Sequence, residues 1–595
     1  MGLNRWRLLT RIRRNLFPML IGLLVFLAIA TRLWAAAQWS ANFDSDEAII
    51  GLMARHILRG QVPTYYYGQN YLGSLDALLA SVFLRWLGES PFALRIHHIL
   101  LYGVFMILQA VWVHRAQGWR AALLSVIFLG WPNQHVFFYT YKPNTAASLM
   151  FATGTLSLLL VSLNLKGKFS LVRWLVVGIL TGLGIWVHPL SVIYLAAWLI
   201  PAILFGHEWQ KIYKIFSEWL ALRSLTRRLW LGSLAVIMMF LLIVGAFFSS
   251  GCQPTKIFKI VRISSLVLLG TILGTVSIAI LILSERRREV IRECSTFLVG
   301  ALIGNFPQWQ AWLFQGMQPS PIIPSCPNGV PSRLRLLVTD MLPIILGTSP
   351  LSWLVQTTSF QSLLQGSVLL IGLLVVVKFI WQHRRILWSL GLLVPDSVVP
   401  SFRDRLEVQV MLLFIISVVL VVLGANTVDA WSFRYLLVAW QAQSVMFATI
   451  LSRGWSRPKM RLVVTLVLIL YIWQVGWSGL LILSQRWQRT SDMYSAKTIA
   501  CLENYMAQHG LRGGYADYWL AYPLDFLTQE RLVFSPYNGI VRYPPYAETI
   551  SRLPVYVYIA WHGVTLPSHI YKQVNQFEAF DRQVCNYWDV WIVRR

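Results

Sequence analysis

Apolar runs long enough to cross a bilayer recur along most of this chain, and they restrict its fold more than any motif does. A helix needs about 20 such residues to span the ~30 Å hydrocarbon layer. The runs predict about thirteen spans, near 17–37, 91–113, 119–138, 145–163, 171–187, 189–205, 229–249, 263–283, 295–314, 362–381, 408–424, 435–452 and 461–483. Only 13% of the residues are charged, against roughly a quarter in soluble domains. The fold class is an all-α polytopic membrane protein.

A formal net charge of +27 would suit a nucleic-acid binder, but its distribution excludes one. The basic residues form short clusters at alternate connections: Arg115 and Arg120; Lys166, Lys168 and Arg173; Lys211, Lys214, Arg223, Arg227 and Arg228; Arg286, Arg287, Arg288 and Arg292; Arg384, Arg385, Arg403 and Arg405; Arg453, Arg457, Lys459 and Arg461. Arg5, Arg7, Arg11, Arg13 and Arg14 precede the first span. Cytoplasmic loops are enriched in Lys and Arg, so these clusters and the N-terminus are expected inside. The first loop, 38–90, is then outside, and an odd number of spans puts the C-terminus there too. The first span ends in Ala35-Ala36-Ala37, like a signal-peptidase site. It is longer than the 7–15 residues or so of a cleaved signal core, and it is read as an uncleaved anchor in the plasma (inner) membrane.

The first outer loop concentrates the chemistry. It opens Asn42-Phe-Asp44-Ser-Asp46-Glu47-Ala48, three acids at a membrane surface, where partial desolvation tunes a carboxylate for proton abstraction. The same acids also suit plain helix capping. Ile49, Ile50, Met53, Ile57 and Leu58 then fall at helical spacing, which predicts a short helix lying on the bilayer interface. Tyr71, Leu72, Leu75, Leu78, Leu79, Val82, Phe83 and Trp86 predict a second. Tyr65, Tyr66 and Tyr67 between them suit either an interfacial aromatic belt or the lining of a sugar site.

Further along, His97 and His98 open the second span with no carboxylate at metal-ligand spacing, so a zinc site is not expected there. Lys142 stands alone among aromatics at an outer mouth, suited equally to snorkelling toward headgroups and to holding the phosphate of a lipid. Gly178, Gly182 and Gly184 permit close helix packing before His188-Pro189. Gly304-Asn305-Phe-Pro307 is a polar break in a span. Asp429 and Arg434 lie at the mouth of the twelfth span, Arg434 being either an interface anchor or a phosphate ligand.

Beyond residue 483 charges and alternation return. Residues 484–595 predict a small extracytoplasmic α/β domain, with strands at Gly514-Tyr-Ala-Asp517, 531–535, 555–560 and 588–593. Helices are expected near 492–509, 519–528, 545–552 and 569–579. Cys252, Cys326, Cys501 and Cys585 are expected outside, where two disulfides can form in a pairing that spacing does not assign. Cys294 is expected alone at the inner face. The chain has no phosphate-loop, GxGxxG, HExxH, GxSxG or CxxC motif and no internal repeat.

Four stretches together resemble the GT-C superfamily of membrane glycosyltransferases, nearest the protein O-mannosyltransferase and lipid A aminoarabinose transferase group. They are Asp46-Glu47-Ala48, Tyr67-Gly68-Gln69-Asn70-Tyr71-Leu72-Gly73, Gly182-Leu-Gly-Ile-Trp-Val-His-Pro189 and Arg434-Tyr435-Leu436, and the likeness covers residues 1–483. The resemblance implies a polyprenyl-phosphate sugar donor, inverting transfer to a glycan, lipid or protein hydroxyl, and an acidic base in the first outer loop. Asp46 matches that aspartate and Glu47 its neighbour. Where aminoarabinose transferases carry Glu-Lys-Pro-Pro, this chain has Gly68-Gln-Asn-Tyr71. The donor-phosphate lysine and the glutamate that could hold a divalent metal are therefore absent. Phosphate binding shifts to Lys142 or Arg434, and the metal is left open. Asp46 and Glu47 are thus the expected catalytic acids, with Lys142, Arg434, Tyr67, Gln69 and Asp44 binding substrate. A polytopic transporter or flippase is the alternative. It is disfavoured because transporters commonly show repeated halves.

Overall fold

The computed structural model describes residues 2–38, 43–143, 146–162, 171–204, 287–314, 316, 329–350, 359–384, 402–423, 427–490, 494–564, 568, 570 and 582–594. Six described helices are long and apolar enough to cross a membrane: Leu16–Ala37, Pro91–Gln117, Phe360–Gln382, Arg403–Leu423, Ala430–Trp455 and Pro458–Gly476. This is a multi-pass membrane architecture, but the thirteen expected spans are not all found as such. The expected spans near 229–249 and 263–283 lie outside the described residues. Ala147–Ser162, Leu171–Val187 and Pro189–Pro201 are shorter apolar helices. The ninth expected span breaks at Asn305 into Arg287–Gly304 and Phe306–Phe314.

The third expected span is two helices, Trp119–Gly130 and Gln134–Tyr141, bent by 89°. Ending a helix at membrane depth strands its last carbonyls away from water. Arg32 of the first span answers that need. It is fully buried and donates to the Gly130 carbonyl at 2.9 Å, the Leu129 carbonyl at 3.3 Å and Thr140 Oγ1 at 2.9 Å. Its guanidinium also stacks over Tyr102 and Phe137. Asn133 caps the second half, accepting from the Val136 N–H at 3.1 Å. The bend thereby carries Lys142, the residue that ends the short helix, back toward the first loop.

Elsewhere the bundle is joined by polar contacts and by glycine. Gln441 links Thr155 and Tyr194, and Gln109 donates to Ser444, joining helices far apart in sequence. At another end of the bundle Glu407 gathers His383, Arg403 and Arg453. Leu171–Val187 and Arg287–Gly304 run side by side in the same direction, as Gly178 meets Phe297, Gly300 and Ala301 while Gly182 meets Ala301 and Asn305. The pairing is reciprocal: Gly300 faces Leu175 and Ile179, and Gly304 faces Ile179 and Leu183. Both helices carry glycine at four-residue spacing on the contact face, which lets backbone touch backbone.

The loop helix Ser45–Leu58 differs from its expected place on the bilayer surface. Nearly all of it is buried, because the tail lies on top of it. Phe43, Ile49, Ile50, Leu52 and Met53 share one core with Tyr522, Phe526 and Tyr546 of the tail. Gly51 lets the Phe526 ring approach so closely that a Cβ would sit 2.6 Å from it. The second stripe also starts later than its spacing predicts. Tyr71 and Leu72 belong to a hairpin, β1 (Tyr65–Tyr66) and β2 (Gln69–Gly73), and helix begins only at Leu75, ending at Leu87. Gly68 turns the hairpin at φ +67°, a backbone state costly for other residues.

The tail is the expected small α/β layer. Strands β3 (Gly513–Ala516), β4 (Val533–Pro536), β5 (Val555–Trp561), β6 (Arg582–Cys585) and β7 (Trp588–Arg594) form one sheet in the order β4-β3-β5-β7-β6. The first three are parallel, joined through helices Tyr518–Leu527 and Pro544–Ser551. β7 runs antiparallel to both its neighbours, β5 and β6. Cys501 and Cys585 form a disulfide, suited to an oxidising compartment. Cys252 and Cys326 lie outside the described residues, as does most of the expected 569–579 helix.

The glycine contact yields a clear expectation. Even an alanine Cβ at position 182 would lie 2.1 Å from the Ala301 carbonyl oxygen, so Gly182→Leu must push two helices apart. Overpacking of this kind costs about 1–3 kcal/mol or more. Gly182→Leu is expected to lower the thermal unfolding midpoint in detergent clearly, whereas Gly22→Leu, with nothing within 4 Å, leaves it unchanged.

Candidate functional site

Asp44 ends the extended segment entering the loop helix, and as N-cap it accepts the Glu47 N–H on Oδ1 at 3.0 Å. Its Oδ2 takes a hydrogen bond from Lys142 Nζ at 2.7 Å. Lys142 also lies 3.6 Å from Glu47 Oε2. Glu47 in turn accepts a two-pronged contact from Arg95, Nε at 2.5 Å and Nη2 at 2.8 Å. Arg95 closes the row with a bond to the Ala36 carbonyl at 3.2 Å and a stack over Tyr141. Asp44, Lys142, Glu47 and Arg95 therefore alternate in sign and tie the loop helix to the first, second and bent spans.

Asp46 sits between two members of that row in sequence, but a helix turns it onto another side. It is 38% exposed. Its Oδ1 accepts a hydrogen bond from Tyr518 at 2.9 Å and lies 3.6 Å from Arg542 Nη2, both residues of the tail. Among the described residues its Oδ2 accepts none. Burial, and then the charge of Asp44, raise the Asp46 pKa above the ordinary carboxylate range, against the pull of Arg542, Tyr518 and Arg434. Asp44 goes the other way. Burial raises it, but the charge and hydrogen bond of Lys142, the Glu47 N–H and Arg95 outweigh burial, and its pKa is lowered. The two neighbouring acids thus have pKa values driven in opposite directions.

Several expected site residues take different places. Glu47 is fully buried behind this surface, so its side chain supports the row and does not face the cleft. Lys142 is 3% exposed and held by two carboxylates, so it does not stand alone among aromatics. Tyr67 faces the tail, its hydroxyl 2.7 Å from His56 Nδ1 and its ring tilted against Tyr543 with centroids 4.5 Å apart. Gln69 does border the site: in the amide orientation that satisfies both its ends, its oxygen accepts from Arg542 Nη1 at 2.6 Å, Nη2 at 2.9 Å and the Tyr71 hydroxyl at 3.1 Å. Arg434 lies on the 3₁₀ turn Ala430–Leu436, whose start is fixed by a reciprocal Asp429–Ser432 cap. Its guanidinium rests over Tyr435, and among the described residues it makes no ion pair.

The expectation that His97 and His98 lack a carboxylate is also corrected. Asp76 reaches them from the helix after the hairpin, its Oδ1 2.9 Å from His97 Nε2 and its Oδ2 accepting from Tyr66 at 3.1 Å. Ligating atoms of Asp76, His97 and His98 lie within 4.8 Å of one another.

Sequence reasoning missed Arg95, Tyr518 and Arg542. A signal existed for Arg95, because a charge inside a span demands a partner and the loop acids were the available ones. Nothing local flags Tyr518 and Arg542, which lie more than four hundred residues from Asp46 in the chain.

No protein-family model matches this chain, and no curated protein does. Similar solved structures include the Archaeoglobus fulgidus oligosaccharyltransferase complex with Zn and sulfate, at 12% identity, covering 91% of this chain and 68% of that one with TM-score 0.40. Another is the same protein tethered with an acceptor peptide containing the NVT sequon, at 9% identity, covering 92% and 69% with TM-score 0.42. ArnT from Cupriavidus metallidurans bound to undecaprenyl phosphate is similar at 13% identity over 96% of this chain and 97% of that one, with TM-score 0.35. These are GT-C enzymes, the superfamily that the sequence resembles.

The row and the open acid should separate in a stability measurement. Glu47→Gln leaves Arg95 and Lys142 short of a buried counter-charge, and breaking a buried pair costs about 3–5 kcal/mol. Glu47→Gln is expected to lower yield and thermal midpoint sharply, while Asp46→Asn, at a partly exposed position, leaves both near wild type.

Proposed function

We propose that the chain transfers a sugar from a polyprenyl-phosphate donor to an acceptor hydroxyl at the outer membrane face, with inversion, and that Asp46 is the general base. The observation that carries this reading is a partly open carboxylate of raised pKa flanked by guanidiniums at the mouth of a membrane bundle. In the transfer, the Asp46 Oδ2 takes the proton of the acceptor hydroxyl. The hydroxyl oxygen forms the new bond to the anomeric carbon, and the bond to the lipid phosphate breaks with its electron pair going to that phosphate. A lipid phosphate is already a good leaving group, so what it needs is a cation. Arg434, with no ion pair among the described residues, serves better than Lys142. Glu47, Arg95, Lys142 and Asp44 hold the loop helix in register below the base. The loop and the tail face outward, with the N-terminus in the cytoplasm.

The residues that fit a divalent metal are Asp76, His97 and His98. Nδ1 of each imidazole is buried without a hydrogen-bond partner, and one carboxylate with two imidazoles is a donor set that zinc accepts. Bound there, a metal would supply rigidity, clamping the hairpin helix to the second span in a place closed to solvent. If the group is loaded, purified protein carries about one zinc per chain by elemental analysis, and His97→Ala together with His98→Ala removes it. Metal-free wild-type protein would show that the group holds no metal, with His97 bonded to Asp76 and His98 to Tyr139 and Ser148.

Catalysis is tested with a donor of undecaprenyl phosphate carrying sugar and an envelope extract as acceptor, reading release of undecaprenyl phosphate. Losing a positioned base costs about 10²–10⁴-fold in rate, so Asp46→Asn is expected to fall by that much with donor binding retained. Arg434→Gln should weaken binding of undecaprenyl phosphate as well as turnover. The active form is the deprotonated one, so kcat/KM is lost as pH falls through the raised Asp46 pKa, earlier than an ordinary carboxylate would give. Wild-type turnover in the Asp46→Asn protein would refute the assignment of Asp46 as base, and wild-type protein that releases no undecaprenyl phosphate would favour the transporter.

A further inference from the structure

We infer that the tail is part of the active centre: Tyr518 and Arg542 are positioning residues that lock one oxygen of Asp46 and leave the other free to take the proton. The inference rests on the reading of Asp46 as the base. Tyr518 donates to Asp46 Oδ1 at 2.9 Å, and Arg542 Nε donates to the same tyrosine hydroxyl at 3.2 Å. Arg542 Nη2 stands 3.6 Å from Asp46 Oδ1. The guanidinium reaches Gln69 with both Nη groups, at 2.6 and 2.9 Å, and the Gly68 carbonyl at 3.5 Å. Every donor of Arg542 is thus spent on Asp46, its tyrosine partner or the hairpin turn.

These contacts exceed what docking requires. The tail is already anchored further along the loop helix, where Phe526 packs on Gly51 and Phe43. Arg55 donates to the Phe526 carbonyl at 2.8 Å, and Glu530 joins His56 at 2.9 Å and Arg59 at 2.7 Å. Around Asp46 the arrangement is instead built for fixed geometry. The Tyr522 hydroxyl accepts the Arg542 N–H at 2.5 Å, and the Tyr518 carbonyl accepts from Ser45 Oγ, one residue before the base. Gly68 is pressed against this strut, since a Cβ there would lie 2.9 Å from the Arg542 Cα. A carboxylate free to rotate would present either oxygen, protonated or not. One gripped on Oδ1 presents Oδ2 alone, and preorganisation of that kind is what a proton-accepting group gains from its surroundings.

Electrostatics support the same assignment. The groups acting on Asp46 are Asp44 on its own helix, Tyr518 and Arg542 from the tail, Arg434 from the bundle mouth, Tyr71 of the hairpin and Tyr139 of the bent span. Burial and Asp44 push its pKa up, while Arg542, Tyr518 and Arg434 pull it down. Removing either tail group should therefore raise the pH at which Asp46 loses its proton, a result that loosened packing alone does not give.

The test uses full-length protein in detergent and needs no substrate. A water-soluble carbodiimide labels protonated carboxyls, so labelling of Asp46 against pH, read by peptide mass spectrometry, gives its titration midpoint. Tyr518→Phe and Arg542→Gln are expected to move that midpoint to higher pH, and Arg542→Lys to restore most of the difference. Release of undecaprenyl phosphate from the sugar-bearing donor should be about tenfold lower at the acid end of the profile, closing toward wild type at the alkaline end, as loss of an opposite charge predicts. Glu530→Gln, which weakens docking away from the base, should leave the midpoint unmoved. An unmoved midpoint in both Tyr518→Phe and Arg542→Gln, or an equal shift in Glu530→Gln, overturns the inference. If the midpoint moves but wild-type protein releases no undecaprenyl phosphate, the positioning role stands and the transferase reading falls.

Discussion

The contact between Glu47 and Arg95 is the one on which the placement of the loop helix and the tail depends. Both side chains are fully buried, and each would be costly to bury alone. Together with Lys142 and Asp44 they satisfy one another, and four separate stretches must arrive in register for that to happen. The first span contributes a carbonyl at Ala36, the second contributes Arg95, and the bent span contributes Lys142. The loop helix supplies both acids. Its orientation is therefore fixed from below by charge, and Asp46, lying between those acids in sequence, is aimed the other way.

What fixes the site from above is apolar burial. The loop helix would leave Ile49, Ile50 and Met53 exposed or in lipid without a cover, and the tail supplies one with Tyr522 and Phe526. That burial brings Tyr518 and Arg542 against Asp46. The pKa difference between Asp44 and Asp46 follows from this sandwich. Asp44 faces the buried cation below, while Asp46 meets partial desolvation and a neighbouring negative charge that its arginines do not fully offset.

The bundle shows how irregular helices survive where water is scarce. The 89° bend would leave carbonyls unsatisfied without Arg32, and the close pair of glycine-faced helices would not meet with side chains in between. Both devices serve position. The bend points Lys142 at the acids, and the glycine pair packs beside the turn at His188, close to which Trp186 donates to the Thr64 carbonyl at the base of the hairpin at 3.2 Å.

The sequence by itself determined the membrane class, the acidic first loop, the packing glycines and the α/β layer of the tail. These follow from local signals: apolar length, a cluster of acids before a helical stripe, glycine spacing, and strands alternating with helices. It also marked Asp46 and Arg434, because a charge beside apolar sequence is conspicuous. Only the tertiary structure decided which groups each charge meets. That Glu47 is buried against Arg95, and Lys142 against Asp44 and Glu47, is not visible in the sequence. Asp76 could not be joined to His97 and His98 without the hairpin that turns the chain back. Tyr518 and Arg542 reach Asp46 solely because the tail covers an apolar helix far away in the sequence, and the side of the loop helix facing that cover is settled by which groups can be buried together.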